Sequence, residues 1–264
     1  ARADLSDLDL RSTRDLVRLL NEEDATVPAA VAEAGDALAA AIDAIVERMR
    51  RGGRLVYAGA GTSGRLGALD AAECPPTFGV APARVVALVA GGTRALRRAV
   101  EGAEDDRGAG TRAIAAARIG PLDLVVGISA SGTTPYVRAA LVEARRRRAA
   151  TALLTSNPAA RPAVDVRIVL ATGPERIAGS TRMKAGTAAK MALGLLSSAT
   201  FVRLGAVRGG RMVALRPASE KLRRRAVRNV AELGGVSAAA ARRLLSAAGW
   251  DVRRALAAAR ERNT

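Results

Sequence analysis

The chain of 264 residues contains no histidine. Acid–base chemistry therefore falls to carboxylates or lysines, and a Ser-His-Asp triad or a histidine-based metal centre is excluded. Two acidic positions have settings that could tune them. Glu73 is followed by Cys74 and the rigid, apolar PPTFG. Pro75 and Pro76 cannot continue a helix, so one running into Glu73 is predicted to stop there. A carboxylate at a helix C-terminus opposes the dipole, and apolar surroundings add to that. Both would raise its pKa and suit a general acid; the alternative is a frayed, exposed glutamate. The second position is AVEGAEDD, residues 99–106. Its Glu101 and Glu104 would share one face if the helix predicted over 95–102 continued; the alternative is a solvated acidic turn.

Three hydroxyl-and-glycine segments accompany these acids: GAGTSG (59–64), SASGTTP (129–135) and GSTRMKAGT (179–187). The first follows the apolar run Leu55–Ala58 and precedes a helical spacing of Leu66, Leu69 and Ala72. Strand, glycine loop and helix together aim backbone N–H groups and a helix N-terminus at an anion. Thr62 and Ser63 add hydroxyl donors. The spacing also satisfies G-x-G-x-x-G, which by itself is a weak dinucleotide signal. That fingerprint wants an acid at the end of the next strand, yet residues 84–90 end in Gly91 and Gly92. A phosphorylated small molecule is the better reading. Any one segment could be an ordinary cap or turn, but two placed just after strands on one sheet edge favour a phosphate site. Arg182 and Lys184 could supply counter-charge there.

The elements that must position these groups alternate. Helices are predicted at 12–22, 28–50, 111–118 and 135–147, with Ser12 or Thr13 capping the first and Pro28 opening the second. Strands are predicted at 84–90, 122–128, 151–154 and 166–170. The run 122–128 is continuously apolar, as in a strand buried on both faces. This order implies an α/β fold, a doubly wound parallel sheet with right-handed crossovers, which binds ligands beyond the strands' carboxyl ends. The helix expected at 186–204 is apolar nearly all round and should be central. Its Met191, Leu193, Leu195, Leu196 and Phe201 set that character.

Composition narrows the rest. Hydrophobic residues make up 49% and aromatics 2%, so the core should be alanine-rich and closely packed. The net charge of +17 is mostly arginine interleaved with acids, and few aromatics are available to stack bases. A nucleic-acid partner is not expected. The run Arg145–Arg148 reads as a solvated helix end. No apolar stretch has the length and freedom from charge of a membrane span, and the opening residues do not resemble a signal peptide. One cysteine, Cys74, fits a reducing compartment, so a cytoplasmic location without a membrane partner is expected.

GAGTSGRLGALDAAECPPTFG, AVEGAEDD, SASGTTPY and GSTRMKAGTAAK closely resemble the signature segments of the N-acetylmuramic acid 6-phosphate etherases. That family is built on the sugar isomerase (SIS) fold and is related to the glucokinase regulatory protein. The resemblance runs from about Asp9 to about Leu222 and includes NEEDATVP. It implies a flavodoxin-like, five-stranded parallel sheet with flanking helices, and a homodimer with sites completed at the interface. The organisation expected is N-terminal helices (1–43), an SIS phosphosugar-binding domain (44–207), a connecting helix (208–228) and a small helical tail (229–264). The tail resembles a ubiquitin-associated (UBA-like) three-helix unit; a helical hairpin packed on the main domain is the alternative. Ser237 and Asp251 would cap its helices. Leu244, Leu245, Trp250, Val252 and Leu256 would form its core.

The resemblance further implies a phosphorylated amino-sugar substrate, no metal and no cofactor. Opening the sugar ring exposes an aldehyde that acidifies the C2 proton; a base removes it, lactate leaves C3, and water adds to the enal. By motif, Glu73 matches the proton donor to lactate and Glu104 the other catalytic acid, here the C2 base. Phosphate and sugar contacts would come from Gly61, Thr62, Ser63, Ser129 and Ser131, joined by Thr133, Thr134, Ser180 and Lys184. The family commonly has arginine where this chain has Thr133; Arg65, Arg182 or Lys184 could offset its loss. A non-catalytic sugar-phosphate sensor and an aldose–ketose isomerase share this fold. Retention of both glutamates favours the lyase over the first, and ECPPTFG favours it over the second.

Overall fold

The computed structural model describes residues 7–214, 217 and 219–261. They form two compact units, one of Ala1–Ala71 with Ala83–Ser197, the other of Ala72–Pro82 with Ser198–Thr264.

In the first unit, α1 (Thr13–Asp24) is capped by Ser12, whose Oγ accepts from Asp15 N–H. The single helix expected over 28–50 is two, α2 (Val27–Glu33) and α3 (Gly35–Arg50). Ala34 leaves helical geometry between them (φ −85°, ψ 8°), beside a glycine that resists helix. α3 buries Leu38, Ala41, Ile45, Val46 and Met49. The chain then alternates β1 (Leu55–Gly59), α4 (Gly61–Phe78), β2 (Val85–Val89), α5 (Arg107–Ala116), β3 (Leu124–Ile128), α6 (Pro135–Arg146), β4 (Ala150–Thr155), β5 (Val166–Val169) and α7 (Lys184–Arg203).

All five strands are parallel in the order β2-β1-β3-β4-β5. This is the flavodoxin-like order, with its switch point between β1 and β3. Strand alternation assigns Val56, Ala58 and Val125 to a core shared with Ile114, Tyr136, Val137, Ala140 and Leu141 of α5 and α6. Small residues allow close approach: a Cβ on Gly110 would lie 2.3 Å from Tyr136 O. The expected alanine-rich, tightly packed core is present. The arginine run ends α6 as expected. Arg146 Nε donates to Glu143 at 2.7 Å and Arg147 Nε at 2.6 Å. These two guanidiniums hold Glu143 down at about 2.

Three local expectations are corrected. Helix α4 does not stop at Glu73 but carries Pro75 and Pro76 within its last turn and ends at Phe78. Gly79, at φ +65°, is the stop: its N–H closes on Pro75 O at 2.9 Å, and only glycine takes that conformation cheaply. The apolar reading of Leu66, Leu69 and Ala72 is also reversed. Leu69 is 50% exposed, while Gly64, Gly67 and Cys74 face inward. A Cβ on Gly67 would lie 2.9 Å from Tyr57 Cβ, so contact with the sheet demands the small side. Finally, the helix expected over 95–102 is a short 3-10 turn, Gly92–Leu96, followed by turns. Positive φ at Gly91, Gly92 and Gly102 breaks the helix, and Glu101 and Glu104 share no helical face.

α7 is, among the described residues, the one helix long and apolar enough to cross a membrane; 50% of that window is buried within the fold, as a core helix requires. In the second unit Phe78 stacks on Phe201 with ring centroids 4.6 Å apart. The connecting helix expected across 208–228 is instead a hairpin, β6 (Val207–Arg208) with β7 (Arg211–Met212), and a helix that starts only at α8 (Glu220–Gly234). Gly209 and Gly210, both at positive φ, make its turn. α9 (Ala238–Ala247) and α10 (Val252–Glu261) complete a core of Val213, Val227, Val230, Leu244, Leu245, Val252 and Leu256. Ser237 and Asp251 cap as expected, accepting from Ala240 N–H and Arg254 N–H. Trp250 packs at the margin under the Arg223 guanidinium, 5.0 Å from the ring centroid.

Candidate active site

The carboxyl ends of β1 and β3 flank the switch point, and both of the first two hydroxyl segments sit there. At β1, helix α4 begins at Gly61, inside the glycine loop, so Thr62 and Ser63 lie in its first turn. The first turn of any helix leaves its N–H groups without intrahelical acceptors. The glycines serve geometry. A Cβ on Gly64 would meet Gly59 O at 2.7 Å and Val89 Cγ1 at 2.8 Å, which seats the helix directly on the strand end. Gly61 holds φ +53°. Arg65 is committed elsewhere, its Nε donating to Ala95 O at 2.9 Å.

At β3 the hydroxyls form one connected set. Ser129, buried, lies 2.7 Å from Thr134 Oγ1 and accepts from Gly132 N–H at 3.1 Å. Ser131 Oγ accepts from Thr133 N–H at 3.2 Å and from Thr133 Oγ1 at 2.9 Å. The end of β4 braces the loop: Asn157 Nδ2 donates to Ser131 O and Thr155 Oγ1 to Ala130 O. Gly132 is obligatory, at φ +71° with a would-be Cβ 2.5 Å from Ala160 Cβ. The acidic segment is fastened here too, because Tyr136 N–H donates to Glu104 O at 2.9 Å. The Glu104 carboxylate itself is exposed. Tyr136 stays neutral, burial pushing its hydroxyl up to about 12.

The third segment reaches the same end of the sheet. A Cβ on Gly186 would lie 3.6 Å from Thr62 Cγ2. Ser180 donates its N–H to Ile177 O and accepts from Met183 N–H, forming the turn before α7. The α7 N-terminus is filled from within the chain: Glu175 accepts from Lys184 N–H at 3.1 Å and Ala185 N–H at 3.0 Å. Lys184, expected to face a ligand, is 5% exposed and its Nζ is paired with Glu23. Arg176 Nε joins Glu23 at 2.7 Å. The hydrogen bond from Lys184, with that from Arg176, holds the Glu23 carboxyl below its ordinary range despite partial desolvation. Arg182 is exposed. Glu73 belongs to the 72–82 segment of the second unit, where its side chain is exposed next to buried Cys74.

Sequence reasoning missed Asp70, Glu175 and Glu23. Asp70 lies on the inward face of α4, and its signal was an acid in helical register with Gly67 and Cys74. Glu23 gave no signal because Arg176 and Lys184 lie 153 and 161 positions away, and Glu175 gave none because it folds back onto Lys184 and Ala185 across an irregular segment that carries no periodic pattern.

Residues 37–145 match the family model of the glucokinase regulatory protein N-terminal SIS domain. The chain is 52% identical over 254 residues to an N-acetylmuramic acid 6-phosphate etherase of Symbiobacterium thermophilum, covering 96% of this chain and 84% of that protein. It is 52% identical over 251 residues to one of Nostoc punctiforme, covering 94% and 82%. Among solved structures it is similar to a phosphoheptose isomerase of Neisseria gonorrhoeae, with a TM-score of 0.54 and 17% identity over 74% of this chain and 100% of that one. That last likeness speaks to the fold.

Proposed function

Since the chain belongs to the N-acetylmuramic acid 6-phosphate etherase family, we propose that it cleaves the lactyl ether of N-acetylmuramic acid 6-phosphate, giving N-acetylglucosamine 6-phosphate and lactate. It is a carbon–oxygen lyase of amino-sugar metabolism. The observation that carries this reading is the identity shared with the etherases over nearly its whole length. The open end of α4 beside a hydroxyl loop supports a phosphate anchor.

In the proposed mechanism the phosphate sits against the N–H groups and hydroxyls of Gly61, Thr62 and Ser63. The sugar is held by Ser129, Ser131, Thr133 and Thr134, with Ser180 at the edge. With Arg65 and Lys184 engaged, Arg182 is the cation that replaces the arginine missing at 133. Ring opening gives an aldehyde that acidifies C2–H. Glu104 takes that proton, the electron pair forms the C2–C3 double bond, and the C3–O bond breaks. Glu73 protonates the departing lactate oxygen. Water then adds at C3 and a proton returns to C2, so one water is consumed per ether cleaved. Both carboxylates are exposed in the single chain, whereas such chemistry works best away from bulk water. The reading therefore includes a cytoplasmic homodimer whose second copy covers them.

The test is lactate release from N-acetylmuramic acid 6-phosphate. Wild type should release it, and Glu73→Gln and Glu104→Gln should each lose about 10²–10⁴-fold in kcat/KM, the usual weight of one proton-transfer group. Release that survives both substitutions removes these roles. Tight phosphosugar binding with no release points to a sensor.

A further inference from the structure

Three elements meet near the proposed phosphate site: β1 ends there, and α4 and α7 begin there. Deeper in the first unit one carboxylate touches all three. Asp70 of α4 accepts from Tyr57 Oη of β1 at 2.7 Å through Oδ2, and from Ser197 Oγ of α7 at 2.9 Å through Oδ1. Tyr57 is 1% exposed and Ser197 3%. Lys190, also on α7, adds a favourable charge. From these contacts we propose that Asp70 is a positioning residue, fixing the axial register of α4 against β1 and α7 and thereby the aim of the phosphate-binding first turn. The proposal rests on the functional reading above.

This carboxylate carries a desolvation cost. Desolvation is its largest influence and pushes its carboxyl above the ordinary range, ahead of the opposing hydrogen bonds from Tyr57 and Ser197. Replacing Asp70 alone by an apolar side chain leaves the buried Tyr57 and Ser197 hydroxyls without this acceptor, so stability and aim are both affected and have to be read separately. What an apolar side chain cannot supply is direction. Hydrogen bonds to two different elements resist a slide of α4 along its axis, whereas the smooth contact of Gly67 on Tyr57 resists it weakly. An error of about 1 Å at reacting groups can cost 10²-fold in rate.

Asparagine provides a discriminating control. Its Oδ1 can accept from Tyr57, and its Nδ2 can donate to Ser197, whose hydroxyl is then free to turn to Gly194 O, 3.5 Å away. Leucine makes neither bond. In the lactate-release assay, run where every variant is folded, Asp70→Leu is expected to lose roughly 10- to 100-fold in kcat/KM, with a melting temperature below that of wild type because the buried Tyr57 and Ser197 hydroxyls lose this acceptor. Asp70→Asn should recover most of the loss. Tyr57→Phe and Ser197→Ala, each removing one bond, should fall between them and keep the test open if Asp70→Leu does not fold. Calorimetric affinity for inorganic phosphate should weaken in the same order. Wild-type kinetics in Asp70→Leu, or losses that follow melting temperature and are equal in Asp70→Asn, would overturn the positioning role. If wild type itself releases no lactate, the functional reading fails separately; equal phosphate affinity across the same variants then overturns the positioning role.

Discussion

Helices α4 and α7 both start within segments of glycine, serine and threonine, yet their first turns end in opposite conditions. That of α4 presents Thr62 and Ser63 on a seat made by Gly59 and Gly64. That of α7 is closed by the Glu175 carboxylate, behind which Lys184, Glu23 and Arg176 form a charged network. The dipole favours negative charge at either N-terminus; the chain brings its own to that of α7, while at α4 the proposed function assigns it to the substrate's phosphate. Composition before a helix thus reveals that an anion belongs there and says nothing about whose it is. For α7 the answer comes from residues upstream in the sequence, folded back through the turns of 171–183.

The largest effect should come from emptying the filled end. Glu175→Ala leaves buried N–H groups of Lys184 and Ala185 without their acceptor, at a cost of about 2–3 kcal/mol. Urea unfolding measures it. Added phosphate should raise the variant's stability more than wild type's if the vacated end now takes an external anion, and an equal rise would break the comparison. A smaller effect is expected at the open end. Thr62→Val should change unfolding free energy by less than ~0.5 kcal/mol and weaken phosphosugar affinity by ~1 kcal/mol, or about 5-fold, in a titration. The smallest concerns the network behind α7. The native Glu23 carboxyl lies below its ordinary range, chiefly through Lys184. Its contribution is therefore complete above the unfolded glutamate value of about 4.3 and is lost as pH falls through the lower native value. Urea midpoints of wild type should drop more steeply below that pH than those of Glu23→Gln. Parallel curves would show that the pairing adds nothing.

The same contrast explains what could be read in advance. Strand runs such as 122–128 are local patterns, and with their helical spacers they imply the parallel sheet that the fold has. The signature segments then supplied the family and the candidate glutamates. The misjudged pieces were those decided by distant contact. Leu66 and Leu69 looked like the inner stripe of α4, but the close approach of Tyr57 reserves that side for glycine. Pro75 and Pro76 looked like a stop, yet the last turn survives around them and Gly79 ends it. Lys184 looked like a free cation until Glu23, 161 positions away, met it. Asp70 and Ser197 are 127 positions apart, beyond any spacing rule.

The lone thiol of the chain, one residue after Glu73 and 1% exposed, gives α4 a built-in clock. A thiol reagent can modify Cys74 only when the proline-bearing end of the helix comes away from its neighbours, so the labelling rate counts those excursions. A bound phosphosugar that steadies the helix would slow the count, making one chemical modification a reporter of occupancy without any label having to be engineered.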